Sequence, residues 1–432
     1  MHKIKNTMKL KSIRLKNFRC FDDTKDIELK PLTVFVGANS SGKSSVLKFF
    51  PLLKHSIKDS LDGILKWNNE DLDFRDFENT VINHDKSKSI EFDLSFEKND
   101  GGSFVIKESI GYDTPTKNKI NYFNLVSQDE NAYYSITADY SNNKLLYESK
   151  SDSLDDTIEY SRHSQNLIPN LFYRTKLASL LKPRVDKLTS IAQEEFENLE
   201  KNIYYMQPLR LDIQRRYALD DNEESNRIYS NATNLAYYLN NLTYSDKEEL
   251  NNWLETNGFD ITIDFDRLSA QSNGGMLEIY IKAQGMKISR NIIDLGFGFS
   301  QMLPILILMW DSIKKVNQTG YRDNQYSKIV VIEQPEVHLH PKYIGKFATM
   351  IANTIRVCKE KQIPICFIVE THSYSFLNKV GTLIYDKQVE RDNISVLIFN
   401  QMIEEENTII ESKTYDDEGA LEDWPINFFD ED

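Results

Sequence analysis

The segment Gly37-Ala38-Asn39-Ser40-Ser41-Gly42-Lys43-Ser44 fits the pattern G-x-x-x-x-G-K-[ST] and constrains the fold more than any other feature of the 432 residues. The apolar run Leu32–Val36 leads into it and reads as a strand. Val46, Leu47, Phe49, Phe50 and Leu53 follow at helical spacing and predict a helix from about Gly42 to Leu53. Strand, glycine-rich turn and helix in that order make a phosphate-binding loop. Gly37 and Gly42 let backbone N–H groups wrap a phosphate with no Cβ in the way, and the helix N-terminus adds partial positive charge beneath it. Lys43 is expected to reach the β- and γ-phosphates of a nucleoside triphosphate, and the Ser44 hydroxyl to ligate Mg²⁺. Asn39, Ser40, Ser41 and Ser45 complete the loop. The expected cofactors are ATP and Mg²⁺.

Three further segments carry groups suited to a triphosphate. Ile329–Ile332 is an apolar strand that ends in Glu333-Gln334-Pro335-Glu336. A carboxylate at such a strand end holds the metal, which assigns Glu333 to Mg²⁺. Gln334 follows it, and an amide cannot act as a base. Glu336, two residues on, reads either as a substitute base or as a polar residue of the turn. Ile365–Val369 is a second buried strand, and it ends in Glu370, Thr371 and His372. A histidine at that edge can hydrogen-bond the γ-phosphate or the attacking water. Gly296, Gly298 and Ser300 stand before an apolar helix, about Ser300–Ile313, and form a second candidate anion site. One such fold already binds phosphate once, so a second site points to use in trans; a plain helix N-cap is the other reading.

The remainder of the chain sets bounds. Its net charge of −14 argues against broad adhesion to nucleic acid. The charge is uneven: His2 to Arg19 holds seven Lys or Arg and no acid, whereas Glu404 to Asp432 holds twelve acids and one Lys. Arg174, Lys176, Lys182, Arg184 and Lys187 add a basic stretch. These read either as solvated faces or as a contact to DNA or a partner. No apolar run reaches the roughly 18 residues of a membrane span, and the basic N-terminus lacks an apolar h-region. Cys20, Cys358 and Cys366 are scattered without metal-ligand spacing, which fits a reducing compartment. A cytoplasmic chain without a membrane contact is expected. His338 and His340, at i and i+2 with no cysteine or carboxylate set, do not make a zinc site.

Strands are expected at Leu10–Leu15 and Ile27–Leu29, then a four-stranded meander at Ile90–Phe96, Ser103–Ile110, Lys119–Val126 and Tyr133–Ala138. Helices are expected over 165–201, 228–256 and Tyr343–Val357, and strands at Ile203–Met206, Ile261–Phe265, Met276–Ile281, Ser395–Phe399 and Thr408–Glu411. The nucleotide-binding elements lie at both ends of the chain. The expected organisation is therefore an α/β P-loop head from 1–54 and 201–400, a 55–200 insertion with a β-meander and a helical lobe, and an acidic 401–432 tail.

Together these segments resemble the SMC/RecF/OLD-like branch of ABC-class ATPases. Leu15-Lys16-Asn17-Phe18-Arg19-Cys20-Phe21 looks like that branch's L-x-N-F-R-x-F opening, which puts Arg19 among the nucleotide contacts. The chain is similar to bacterial AAA-family ATPases that carry E-Q-P-E-x-H-L-H-P, E-T-H-S, Y-x-x-P-L-R and W-P-x-x-F-F-D-E; here these are Glu333–Pro341, Glu370–Ser373, Tyr205–Arg210 and Trp424–Glu431. The resemblance covers the two ends and touches 55–200 poorly.

It implies an ABC-ATPase head that forms a homodimer through ATP, with Gly296, Gly298 and Ser300 as the signature turn completing the other subunit's site. Val337–Pro341 then resembles the loop that contacts the opposite subunit. ABC-class enzymes place a second carboxylate where Gln334 stands, so hydrolysis is expected to be slow unless Glu336 compensates. The family works on DNA or in anti-phage defence with a partner effector. An ATP-locked scaffold that binds an effector, and a RecF/SMC-like DNA-repair ATPase, are the alternative functions. OLD nucleases carry a TOPRIM metal domain; 60 residues follow His372, and no intrinsic nuclease is expected. No sustained heptads run through 55–200, so no long SMC-type arm is expected.

Overall fold

The computed structural model describes residues 8–58, 64–98, 101–114, 117–130, 132–150, 153–157, 178–210, 214–219, 227–268, 275–295, 297–314, 326–402 and 407–422. The chain opens with β1 (Met8–Phe18), β2 (Phe21–Asp23), β3 (Ile27–Glu28) and β4 (Leu32–Gly37), then α1 (Lys43–Leu47), α2 (Phe49–Lys58) and the short α3 (Phe77–Thr80). The strands β5 (Ile90–Lys98), β6 (Ser103–Thr114), β7 (Lys117–Gln128), β8 (Tyr133–Asp139), β9 (Lys144–Ser149) and β10 (Ser153–Thr157) precede α4 (Ala178–Asn202). Next come β11 (Ile203–Met206), β12 (Tyr217–Ala218), α5 (Leu235–Asn240), α6 (Tyr244–Thr256), β13 (Ile261–Leu268), β14 (Met276–Ala283), β15 (Arg290–Asn291) and α7 (Phe297–Ile313). The last elements are β16 (Lys328–Glu333), α8 (Pro341–Glu360), β17 (Ile365–Glu370), α9 (Tyr374–Tyr385), β18 (Ile394–Met402) and β19 (Asn407–Lys413).

Among the described residues the strands form three sheets. The central one has six strands in the order β11-β16-β17-β4-β18-β19, parallel except for β19. Its strands are near-continuous apolar runs because both faces are covered. β4, β16 and β17 are buried along their whole length. Alternate residues serve opposite layers. Val34, Val36, Val330, Ile332, Phe367 and Val369 enter one core with Trp310 of α7 and Phe347 of α8. Phe35, Ile329, Val331, Cys366 and Ile368 enter the other with Leu47 of α1 and Phe49 of α2. The first layer is closed by a small antiparallel sheet, β12-β14-β13 with β15 on β14. The second is closed by a nine-stranded antiparallel sheet, β10-β9-β8-β7-β6-β5-β1-β2, with β3 also on β1.

The meander is part of that last sheet: β5 pairs with β1, Leu15 opposite Phe92. It has six strands where four were expected: β9 continues the meander with Leu145 and Tyr147 buried on one face, and the polar β10 (Ser-Leu-Asp-Asp-Thr) carries little apolar signal. The single helix expected from Gly42 to Leu53 is two. Pro51 has no N–H for the Leu47 carbonyl and its ring crowds that carbonyl, so the chain breaks at Lys48 between α1 and α2. The 228–256 helix is also two, because Thr243 starts α6 with a capping box to Asp246. Of the 165–201 helix, 165–177 lies outside the described residues, and with it Arg174 and Lys176. The side chains of Lys182 and Arg184, and the whole of Trp424–Glu431, also lie outside them. Among the described residues no helix is long and apolar enough to cross a membrane.

One core residue runs against its surroundings. Glu108 of β6 is fully buried, and neither carboxylate oxygen has a hydrogen-bond partner among the described residues. Burial holds it neutral, well above the ordinary glutamate range. The unfolded chain ionises this group above about pH 4 and the folded chain does not, so its contribution to stability falls as pH rises. Glu108→Met is expected to stabilise the fold by about 1–3 kcal/mol at pH 7. The gain should shrink toward pH 4 in denaturant melts, and a gain independent of pH would contradict a neutral buried carboxyl.

Candidate functional site

β4 ends at Gly37, with φ 153, where a Cβ would lie 2.6 Å from the Phe399 carbonyl oxygen and 2.8 Å from Ser41 Oγ. Gly42 has φ 94, and a Cβ there would meet Cys20 Sγ at 2.5 Å and Phe21 Cζ at 2.7 Å. Ser40 between them is left-handed, with φ 64. The loop that results curls around Lys43, whose Nζ donates to the carbonyls of Gly37 at 3.0 Å and Ala38 at 2.7 Å. Lys43 is 3.9 Å from Glu370 Oε1, and burial lowers its pKa while that carboxylate opposes the shift. Ser44 Oγ donates to Glu370 Oε2 at 2.9 Å. A cavity of about 920 Å³ opens over the loop, walled by Asn39–Ser45, Arg19, Cys20, the 79–84 segment, Gln334 and Glu370.

The sheet places two carboxylates at the carboxyl ends of its strands, where ligands of open α/β sheets bind; Glu370 borders the cavity and Glu333 stands beside it on the next strand. Glu333 ends β16 and Glu370 ends β17 directly opposite it, with Phe35 of β4 next in register. Glu370 is the carboxylate that meets the Ser44 hydroxyl. Glu333 is buried and accepts from the Tyr205 hydroxyl of β11 at 2.7 Å. Burial raises the Glu333 carboxyl to about 7, the Tyr205 bond opposes this, and Glu370 adds to it. Burial raises Glu370 as well, against Lys43 and Ser44. The expectation named Glu333 for the metal and left Glu370 as a neighbour of His372. Register across two strands separated by α8 makes the difference, and no local motif carries it.

Gln334 borders the cavity in a left-handed conformation, φ 43, and its N–H donates to the Glu370 carbonyl at 2.9 Å. Glu336 turns away to hold the end of β17: Oε2 accepts from Thr371 Oγ1 at 2.8 Å and Oε1 from the His372 N–H at 2.7 Å. Burial, then Lys43, lowers the pKa of His372. Its Nε2 is buried without a partner among the described residues. Arg210 was read only as the end of a family segment. Here its guanidinium donates to the carbonyls of Glu333 and Gln334. His340 caps α8, with Nδ1 accepting from the Lys342 N–H at 3.2 Å.

Gly298 and Ser300 stand in the first turn of α7, which starts at Phe297 rather than Ser300. A Cβ on Gly298 would lie 3.1 Å from the His338 carbonyl oxygen, so this turn packs on the loop that follows Glu336. Ser300 is buried. Neither residue borders the Lys43 cavity of its own chain. Gly296 lies outside the described residues.

A P-loop at the end of a central parallel strand, carboxylates on the next two strands and an antiparallel sheet stacked over the loop helix define an ABC-class ATPase head of the SMC/RecF/OLD kind. The chain belongs to the AAA ATPase domain family, which it matches over residues 8–377. An OLD nuclease from Thermus scotoductus is 34% identical over 88 residues, a stretch making up 20% of this chain and 14% of that protein. The chain thus spans a small part of that relative's length. Among solved structures, the SMC head domain from Thermotoga maritima has a TM-score of 0.40 at 12% identity, covering 93% of this chain and 98% of that one. The Smc head domain with an extended coiled coil bound to the C-terminal domain of ScpA, from Pyrococcus furiosus, has a TM-score of 0.43 at 13% identity, covering 94% and 97%.

Proposed function

We propose that two copies of this chain close over Mg-ATP and act as a slow conformational switch, in DNA metabolism or anti-phage defence with a partner effector. The observation that carries the reading is the convergence of Lys43, Ser44, Glu370 and Gln334 on one cavity. Lys43 would leave the Gly37 and Ala38 carbonyls for phosphate oxygens. Ser44, with Glu370 and Glu333, would hold Mg²⁺, which supplies charge neutralisation at the phosphates. His372 would offer Nε2 to the γ-phosphate, and Gln334 would orient the attacking water without accepting its proton. Glu336 would keep the His372 backbone in place. The Gly298–Ser300 turn, away from its own chain's cavity, would complete the partner's.

Light scattering with and without Mg-ATP tests the closure. Doubling of the mass with nucleotide is expected, and an unchanged mass with ATP bound would remove the dimer from the account. A second reading, an ATP-locked scaffold, is favoured by Gln334 at the position of the base and by Glu336, whose two oxygens are both engaged. Recovery of intact ATP from the purified chain, with no phosphate released over hours, would select it.

A further inference from the structure

Arg210 ends the segment that leaves β11, and only 6% of it is exposed. Its Nη2 donates to the carbonyl oxygens of Glu333 at 3.0 Å and Gln334 at 3.3 Å. Its Nε and Nη1 are buried without a hydrogen-bond partner among the described residues. Glu336 and then Glu333 are the carboxylates that sustain its charge. A buried cation with two unpartnered nitrogens is costly, so what the third nitrogen does should matter. The two carbonyls it spans belong to the peptide units on either side of the Gln334 side chain. Gln334 sits in a left-handed conformation that a residue with a side chain holds only under constraint. Its N–H is tied from the other side by the Glu370 carbonyl. The Val337 N–H also donates to the Gln334 carbonyl at 3.3 Å, so four hydrogen bonds, two of them from Arg210, fix the backbone of the residue that borders the cavity.

We infer that Arg210 is a positioning residue of the ATPase: it clamps both peptide units around Gln334 and so sets where the Gln334 amide meets the attacking water. This rests on reading the cavity as the ATP site. Lysine at 210 keeps a charge but carries it as a strongly hydrated ammonium on a flexible stem, without the rigid guanidinium plane that sets Nη2 between the two carbonyls.

The experiment uses the full chain with Arg210→Lys, Gln334→Ala and the double variant. Equilibrium binding of γ-labelled Mg-ATP is measured beside single-turnover conversion of the bound ATP, followed for as long as the wild type needs. Arg210→Lys is expected to bind ATP within about threefold of wild type while conversion falls about 100-fold, the cost of a misplacement near 1 Å. Gln334→Ala should fall by a similar factor, and the double variant no further, because both changes act through one group. Arg210→Gln serves in the same comparison if the lysine variant does not fold. A lysine variant at wild-type speed, or losses that multiply in the double variant, overturns the inference. So does a wild type that binds ATP and never converts it, which leaves the binding reading intact. A wild type that binds no ATP overturns the binding reading itself.

Discussion

Lys43→Ala is expected to lower phosphate release from Mg-ATP by about 100- to 1,000-fold, the cost of removing one preorganised donor from a site that stabilises developing charge. The structure adds a reason for the size of the effect. The side chain is 3% exposed, and its ammonium lies between two loop carbonyls and Glu370. Alanine leaves those carbonyls and that carboxylate without their cation, and the loop faces a triphosphate with no compensating charge. Binding of a fluorescent ATP analogue should weaken in parallel. Phosphate release at the wild-type rate would show that the cavity over the loop is not where ATP reacts.

Glu370→Gln is expected to have the second largest effect, a fall of about 100-fold or more in Mg-dependent turnover. The glutamine keeps the shape beside Ser44 but removes the negative charge that a hard divalent cation seeks among oxygen ligands. Glu333→Gln provides the comparison. If the bond from Ser44 to Glu370 marks the metal, the Glu370 variant needs more added Mg²⁺ for half-maximal rate than the Glu333 variant does. The reverse order returns the metal to Glu333, where the strand motif first assigned it. Titration of turnover against Mg²⁺ at fixed ATP decides between them.

Much of the head was legible because its signals are local. The P-loop is eight consecutive residues, and β11 is an apolar run whose ends, Ile203 and Met206, match the structure. β16 and β17 are similar runs that end in carboxylates. What escaped depends on distance along the chain. Tyr205 and Arg210 reach Glu333 and Gln334 only because β11 pairs with β16, 128 residues away in the case of Tyr205 and Glu333. The bond between Ser44 and Glu370 spans 326 residues. Pro51 was visible in the sequence, and its cost to the helix could have been read there. β10 was not, because a short polar strand at a sheet edge is specified by its neighbours more than by itself.

The alternation of core residues along the central sheet also decides which way the chemistry faces. Ile203 and Tyr205, Ile329 and Val331, and Cys366 and Ile368 share the layer that holds α1, and Glu333 and Glu370 continue the same odd or even count to the strand ends. Tyr205, Glu333, Glu370 and Ser44 therefore meet through parity, which the apolar residues upstream establish. Inserting a single residue in the middle of β17 would preserve the spelling of Glu370-Thr371-His372 and turn that carboxylate toward the opposite layer. Such a chain would pass every motif search and have nothing facing Ser44.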